Sequence, residues 1–159
     1  MAKNHPARAL KLAAAVVALV GAVVFFVLAP MMMNRVVLLH PSQDVWLWPS
    51  LLYIWLIGGV CYVALWHFWK ICVQIGRDRS FCMENASSLR WISLLTVLIG
   101  GLLALGAGAL VLLEMTSLLL ILGMGLAALA AWVVALMAYA LSHLVKKAAH
   151  LQNENDLTI

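Results

Sequence analysis

Two histidines are the first side chains in this sequence that could hold a cofactor. His67 and His143 each fall near the inner end of a predicted membrane span, and two histidines that face one another between helices can ligate a haem iron. A di-haem protein would want further histidines within its spans, and this sequence has none there. We therefore interpret the pair as an interfacial aromatic side chain and a helix-end histidine, and we expect no cofactor and no metal.

The three cysteines, Cys61, Cys72 and Cys82, are the second group that could do chemistry. Membrane thiol oxidoreductases need paired cysteines at an active-site turn. The spacings of eleven and ten residues fit neither a CxxC pair nor a common zinc pattern. We therefore interpret the cysteines as ordinary small buried side chains.

Glu114 is the acidic residue that interrupts the longest apolar stretch. A proton-coupled exporter should carry a carboxylate within a span, where the charge is costly and therefore functional, but Glu114 sits where the stretch breaks. The third and fourth spans lack a polar stripe that could line a pore. The sequence also lacks a nucleophile–base pair and a phosphate loop. We expect a protein that is not an enzyme and has no catalytic residue.

The composition places these side chains in a membrane protein. Of the 159 residues, 66% are hydrophobic and only 10% are charged, which is too little charge to cover a soluble domain. Residues 91–142 are apolar almost throughout. As one helix they would measure about 78 Å, far more than a bilayer core of about 30 Å. The run must turn, and Glu114, Met115, Thr116 and Ser117 supply the break.

The resulting fold class is an all-α membrane protein, a four-transmembrane-helix bundle that forms one domain over residues 1–159. A signal peptide is the alternative for the first span, but Pro30 directly after Ala29 disfavours cleavage. The predicted spans cover about residues 9–29, 50–73, 91–113 and 118–142.

Two of the segments outside the spans carry most of the polar sequence. In the connection 74–90, Gly76 permits a sharp helix end, Ser80 suits an N-cap, and Glu84 falls in the first turn of the next helix. The tail, residues 143–159, should extend the fourth span as a helix to near residue 155.

The charge distribution predicts the orientation in the membrane. Nine of the ten Lys and Arg residues lie in segments 1–11, 70–90 and 143–159, and only Arg35 lies elsewhere. The positive-inside rule therefore places both termini in the cytoplasm, an N-in/C-in topology. Because the basic residues flank apolar runs in small groups, we expect no direct nucleic-acid binding.

The outer segment, residues 30–47, should form a loop on the membrane surface. Its polar residues interrupt the apolar run, while the apolar residues between them favour contact with the bilayer. Trp46 and Trp48 fit an interfacial aromatic belt.

Small residues repeat every four positions in the third and fourth spans, which lets helix backbones approach closely. The favoured interpretation is that these faces close the bundle, and the alternative is a dimer interface that makes a homo-oligomer. The residues are Gly100, Ala104 and Gly108 in the third span, and Gly123, Ala127, Ala131 and Ala135 in the fourth.

Two short motifs carry a resemblance to a known family. Gly76, Phe81, Asn85, Leu89 and Arg90 fit a loop of the type G-x-x-F-S/T-x-x-N-x-x-x-L-R, although Ser80 precedes the Phe rather than following it. The ending ENDLTI fits a tail of the type E-x-D-L-T-I/V. With four spans, the sequence resembles the DUF2975 family of small bacterial membrane proteins over essentially its whole length.

The resemblance implies a location and a partner. It implies the cytoplasmic (inner) membrane of a bacterium, where the lipid bilayer is the first partner. Members of the family are described as encoded beside small helix-turn-helix regulators, so a cytoplasmic transcriptional regulator is the second. The functional hypothesis is a non-enzymatic membrane partner or anchor of such a regulator, and the alternative is a small-molecule or lipid sensor or transport component.

Both motifs fall on the predicted cytoplasmic face, where they mix charged, amide and apolar side chains. The Arg residues could pair with the acidic groups of the tail, provided that the last apolar residues are buried as well, because exposed ion pairs stabilise little. Alternatively, the combined surface could hold a partner. The predicted interaction residues are Gly76, Arg77, Arg79, Phe81, Glu84, Asn85, Leu89, Arg90, Glu154, Asp156, Leu157 and Ile159.

Overall fold

A computed structural model of the chain describes residues 5–39, 41–77, 82–112 and 118–156. The described residues form helices and short turns, with no strand among them. The helices are α1 His5–Val23, α2 Ala29–Leu39, α3 Leu47–Ile75, α4 Met83–Leu112 and α5 Leu118–Asp156, with a π-helical turn at Val24–Leu28 and a 3-10 turn at Pro41–Trp46.

Four helical stretches are long and apolar enough to cross a membrane, which confirms the predicted number of spans. They are Arg8–Arg35, Asp44–Ile75, Met83–Leu112 and Leu118–Gln152. The long apolar run is divided between Leu112 and Leu118, as predicted. The dividing residues themselves, Glu114 included, lie outside the described part of the chain.

The first helical stretch does not end at Pro30, so the predicted outer loop is wrong for residues 30–39. A proline inside an α-helix lacks an N–H, and its ring clashes with the carbonyl four residues earlier. The π-helical turn just before Pro30 widens the helix, and the Ala29 N–H bonds to the Val24 carbonyl, five residues back. The helix therefore continues to Leu39.

Trp55 supplies a hydrogen-bond donor to a backbone carbonyl that the π-helical turn leaves without one. The Phe25 carbonyl loses the Ala29 N–H to Val24, and its next donor in a π-helical pattern would be Pro30, which has no N–H. Trp55 Nε1 on α3 donates to the Phe25 carbonyl at 3.1 Å. A carbonyl left without a donor in hydrocarbon would cost several kcal/mol, so this bond also fixes the register of α1 on α3.

The four long helices form an open row rather than the predicted closed bundle. α1 packs on α3, α3 packs on α4, and α4 packs on α5. Within the described residues, α1 packs on neither α4 nor α5, and α3 does not pack on α5. Only 6% to 11% of the most apolar part of each span is buried. Lipid gives no hydrophobic drive to close a core, so helices join only where their surfaces fit.

A seam of small residues joins α4 to α5, and we call it the small-residue seam. Its buried members recur every seven residues on both helices, which is the spacing of an antiparallel, left-handed coiled pair. Ser93 Oγ donates to the Ala135 carbonyl at 2.8 Å, and Ser142 Oγ donates to the Ala86 carbonyl at 2.9 Å. The seam comprises Ala86, Ser93, Gly100 and Ala107 on α4, and Ala128, Ala135, Ser142 and Ala149 on α5.

The structure brings only part of the predicted four-residue repeat into this seam. Gly100 and Ala135 are buried there, and Ala131 is half-buried. A repeat of four turns about 40° away from its partner at each step, whereas a repeat of seven drifts by only about 20°. The remaining predicted packing residues are exposed: Ala104, Gly108, Gly123 and Ala127.

Candidate functional site

One end of the helix row holds the polar connection between α3 and α4, and we call it the loop end. Ser142 Oγ of α5 donates to the Ala86 carbonyl in the first turn of α4, so the C-terminal part of α5 lies at this end. Tyr62 on α3 donates to the Ala18 carbonyl of α1 at 2.7 Å, and Trp55, seven residues earlier on α3, donates to Phe25, seven residues later in the first stretch. The first stretch is therefore antiparallel to α3, and its first residues lie at this end too. The loop end therefore holds the start of α1, the end of α3 and the start of α4, and the helical tail of α5 continues beyond it.

Backbone hydrogen bonds close the two helix ends at the connection. The Gly76 N–H bonds to the Cys72 carbonyl at 3.3 Å, and α3 ends at Ile75 as predicted. Gly76 has φ −66°, so the turn does not use a left-handed glycine conformation. At the start of α4, the Cys82 carbonyl accepts from the Asn85 and Ala86 N–H groups.

A side-chain clasp ties the end of α3 to the start of α4. Gln74 Nε2 donates to Glu84 Oε2, and Cys82 Sγ donates to Gln74 Oε1 at 3.1 Å. Glu84 lies in the first turn of α4, where the helix dipole favours a negative charge. Sequence reasoning missed Gln74, and the available signal was an amide immediately after the last apolar residue of a span.

Buried residues lie next to this clasp, at the end of α3 and the start of α4. Cys72 is fully buried, and Asn85 is 2% exposed. Asn85 was predicted as a partner contact, but its burial makes it part of the interior of the loop end. Ala86 and Ser88 are buried beside it on α4. The polar motif is thus partly structural.

The exposed members of the predicted motif surround these buried residues. Arg77, Glu84 and Arg90 are exposed, and Leu89 is half-buried. The predicted residues Arg79, Phe81, Leu157 and Ile159, and the predicted N-cap Ser80, lie outside the described part of the chain. Glu154 and Asp156 lie in the last turns of α5.

The tail continues α5 well beyond the seam bond at Ser142. The helix runs fourteen residues further, to Asp156, as predicted, which is about 21 Å. Ala149 is 7% exposed, although it lies one full heptad past the residue that faces the first turn of α4. The buried side of α5 therefore continues beyond the residue that bonds to α4.

His67 of α3 lies against an aromatic side chain of α4. Its ring stacks on Trp91 of α4, with centroids 5.9 Å apart and planes 13° apart. His143 is exposed on α5, and α4 lies between α3 and α5, so the two histidines do not face one another. Within the described ranges, no three His, Cys, Asp or Glu side chains come together as a metal site.

A comparison with protein families gives one match. The model for a protein family of unknown function, DUF2975, matches residues 31–159. The chain belongs to the DUF2975 family. The match starts in α2 and runs through the tail, so α1 falls outside it, whereas we expected the resemblance to span nearly the whole chain.

Both motifs of this DUF2975 protein lie within the matched residues. The described residues of the first motif lie at the loop end, and the described part of the second lies on the extension of α5, up to Asp156. Neither a curated protein nor a solved structure matches the chain.

Proposed function

We propose that this DUF2975 protein is a non-enzymatic integral membrane protein that acts as the membrane partner or anchor of a cytoplasmic helix-turn-helix regulator. It would lie in the cytoplasmic membrane of a bacterium, with both termini inside the cell. The observation that carries the proposal is the loop end itself. There, the end of α3 and the start of α4 carry exposed charged side chains, and α5 continues past them as a helix to Asp156.

The loop end suits recognition because its exposed charged side chains project from packed helix ends. Arg77, Glu84 and Arg90 present both signs of charge to solvent, while the buried Cys72 and Asn85 hold the two helix ends beneath them. Side chains on firmly packed helix ends lose less entropy on binding than side chains on a free loop. A protein partner with complementary charges would gain specificity from this pattern.

The direct test is capture of the regulator with and without the tail. The full chain should retain a purified small helix-turn-helix protein encoded next to it, and a variant that lacks residues 153–159 should lose that binding. An Arg35→Gln variant is the matched control, because it changes an exposed charge at the other end of the row. Binding would be measured by titration in detergent micelles.

Equal affinity of the full chain and the shortened variant would show that the tail plays no part in binding. No binding by either chain would reject the regulator and favour the alternative, a small-molecule or lipid sensor or transport component. A specific observation favours that alternative: an apolar groove of about 390 Å³ between α4 and α5, lined by Leu103, Leu119, Leu120, Gly123, Met124 and Ala127.

The proposed orientation makes a separate prediction. Single cysteines would be introduced as Asn34→Cys and Gln152→Cys, both at exposed positions, in a chain whose native cysteines are replaced. A membrane-impermeant maleimide added to whole cells should label Asn34→Cys at once and Gln152→Cys only after permeabilisation, because nine of the ten basic residues favour the inside. The reverse pattern would place the loop end outside and exclude a cytoplasmic partner.

A further inference from the structure

An apolar groove runs between α1 and α3 near the loop end. Its volume is about 240 Å³. Alanines on α1 leave room beside the larger side chains of α3, which form the other wall. The groove is lined by Ala14, Ala15 and Ala18 from α1 and by Tyr62, Trp66 and Trp69 from α3. Because α1 packs on no other long helix, the groove lies at the edge of the row.

Basic side chains surround the loop end of this groove. Lys70 Nζ lies 5.8 Å from the ring centroid of Trp66, a groove residue. Lys11 lies one turn before Ala14 on α1 and is half-buried, and its helical spacing places it on the same side of α1 as the groove residues Ala14 and Ala18. Arg8 follows one turn further out and is exposed.

No acidic residue offsets these cations on the two helices that form the groove. The sequences of α1 and α3 contain neither Asp nor Glu. The three cations Arg8, Lys11 and Lys70 outnumber Glu84, the one acidic residue of α4, whose carboxylate accepts a hydrogen bond from Gln74. The field at this end of the groove is therefore positive, which favours an anionic headgroup over a zwitterionic one.

We propose that this groove binds one anionic phospholipid. An acyl chain lies along the alanines against Trp69, Trp66 and Tyr62, and the phosphate is held by Lys11 and Lys70, with Arg8 at the rim. The distance from Lys11 to Ala18 along α1 is about 10 Å, which suits the upper part of an acyl chain below its headgroup. Basic pockets between spans at the cytoplasmic end of a membrane protein are suited to anionic headgroups.

The choice of a lipid follows from where the groove opens. It lies within two stretches apolar enough to span a membrane, and its walls are apolar while its end is basic. A soluble phosphate has no apolar part that could contact Trp66 and Trp69. This site is independent of the proposed regulator partner, because it lies between α1 and α3 and α1 falls outside the family match.

Native mass spectrometry of the full chain in detergent would test the proposal with phosphatidylglycerol and phosphatidylcholine of the same acyl chains. The wild-type chain should retain one phosphatidylglycerol and bind phosphatidylcholine more weakly. The double variant Lys11→Gln and Lys70→Gln should lose about 30-fold in affinity for phosphatidylglycerol. The variant Lys11→Arg with Lys70→Arg should keep most of it.

Two controls separate the groove from general charge and from free phosphate. The double variant Lys146→Gln and Lys147→Gln removes the same net charge from α5 and should bind like wild type. Ala15→Leu, which fills the groove without changing charge, should weaken both lipids. Excess glycerol phosphate should not compete.

Equal affinity for the two lipids would overturn the proposal. So would an equal loss in the α5 double variant, or full competition by glycerol phosphate. Failure of the regulator titration would leave these results unchanged, so the two proposals can fail separately.

Discussion

Replacement of Gly100 by leucine is expected to break the packing of α4 on α5. A Cβ atom at this position would collide with Trp132 Nε1 and would lie 3.2 Å from the Ala128 carbonyl oxygen. Even if the indole turns away, the carbonyl belongs to the backbone of α5, so a leucine side chain must push the helices apart. Overpacking of this kind should lower the free energy of unfolding by about 3 kcal/mol, measured by thermal unfolding in a mild detergent.

Gly101 supplies the matched control for this experiment. It is the next residue of the same helix, and a Cβ there would meet nothing within 4 Å. Gly101→Leu adds the same side chain to α4 and improves its helix propensity, so stability should stay within about 1 kcal/mol of wild type. If both variants unfold at the same temperature, the small-residue seam is not the contact that holds the hairpin together.

Asn85→Lys is expected to open the loop end. Asn85 is 2% exposed, and neither Ala86 nor Ser88, which are buried beside it, could form an ion pair with an ammonium group placed there. That group must therefore stay buried or force the helix ends apart. An uncompensated buried charge should cost about 3 kcal/mol. Cys72 is fully buried nearby in the wild type, so its rate of maleimide labelling, with Cys61 and Cys82 replaced by alanine, reports this opening.

Ser87→Lys is the control, because Ser87 is exposed two residues further along the same first turns of α4. It adds the same charge at the same end of the helix dipole, and Cys72 should remain protected. Equal labelling of Cys72 in the two variants would mean that Asn85 faces solvent. It would then be available to a partner, as the sequence motif alone suggested.

The four spans could be predicted because length and apolar composition decide them locally. The division of the long run between α4 and α5 needed only the length of a helix and the thickness of a bilayer. The helix through Pro30 could not be predicted in the same way. Its stability depends on a π-helical turn and on a donor from Trp55, which lies thirty residues away in sequence.

Helix pairing was predicted from spacing and was only partly correct. A repeat of four and a repeat of seven share members such as Gly100, so the sequence offered both patterns. Only the partner helix decides between them, since Ser93 and Ser142 must each reach a carbonyl across the seam. The sequence did not predict the open row for a related reason. A local sequence pattern carries no information about which helices fail to contact one another.

The candidate site was predicted in position more than in detail. The charge rule and the motifs predicted one polar end, and the structure brings the start of α1, the end of α3 and the start of α4 to the same end of the row. The clasp through Gln74 and the burial of Asn85 depend on how α3 and α4 meet. An asparagine or glutamine reads the same in a sequence whether its side chain contacts a partner or is buried in the interior.

The row of helices also bears on how the protein is made. Each long helix packs on the one that precedes it among the spans, so its contact surface is already in the membrane when it leaves the ribosome. Each new span also completes hydrogen bonds with the span before it: Trp55 of α3 donates to the Phe25 carbonyl, and Ser93 of α4 donates to the Ala135 carbonyl once α5 is inserted. Assembly can therefore proceed hairpin by hairpin during translation, and a ribosome that stalls after α4 would leave a docked three-span intermediate.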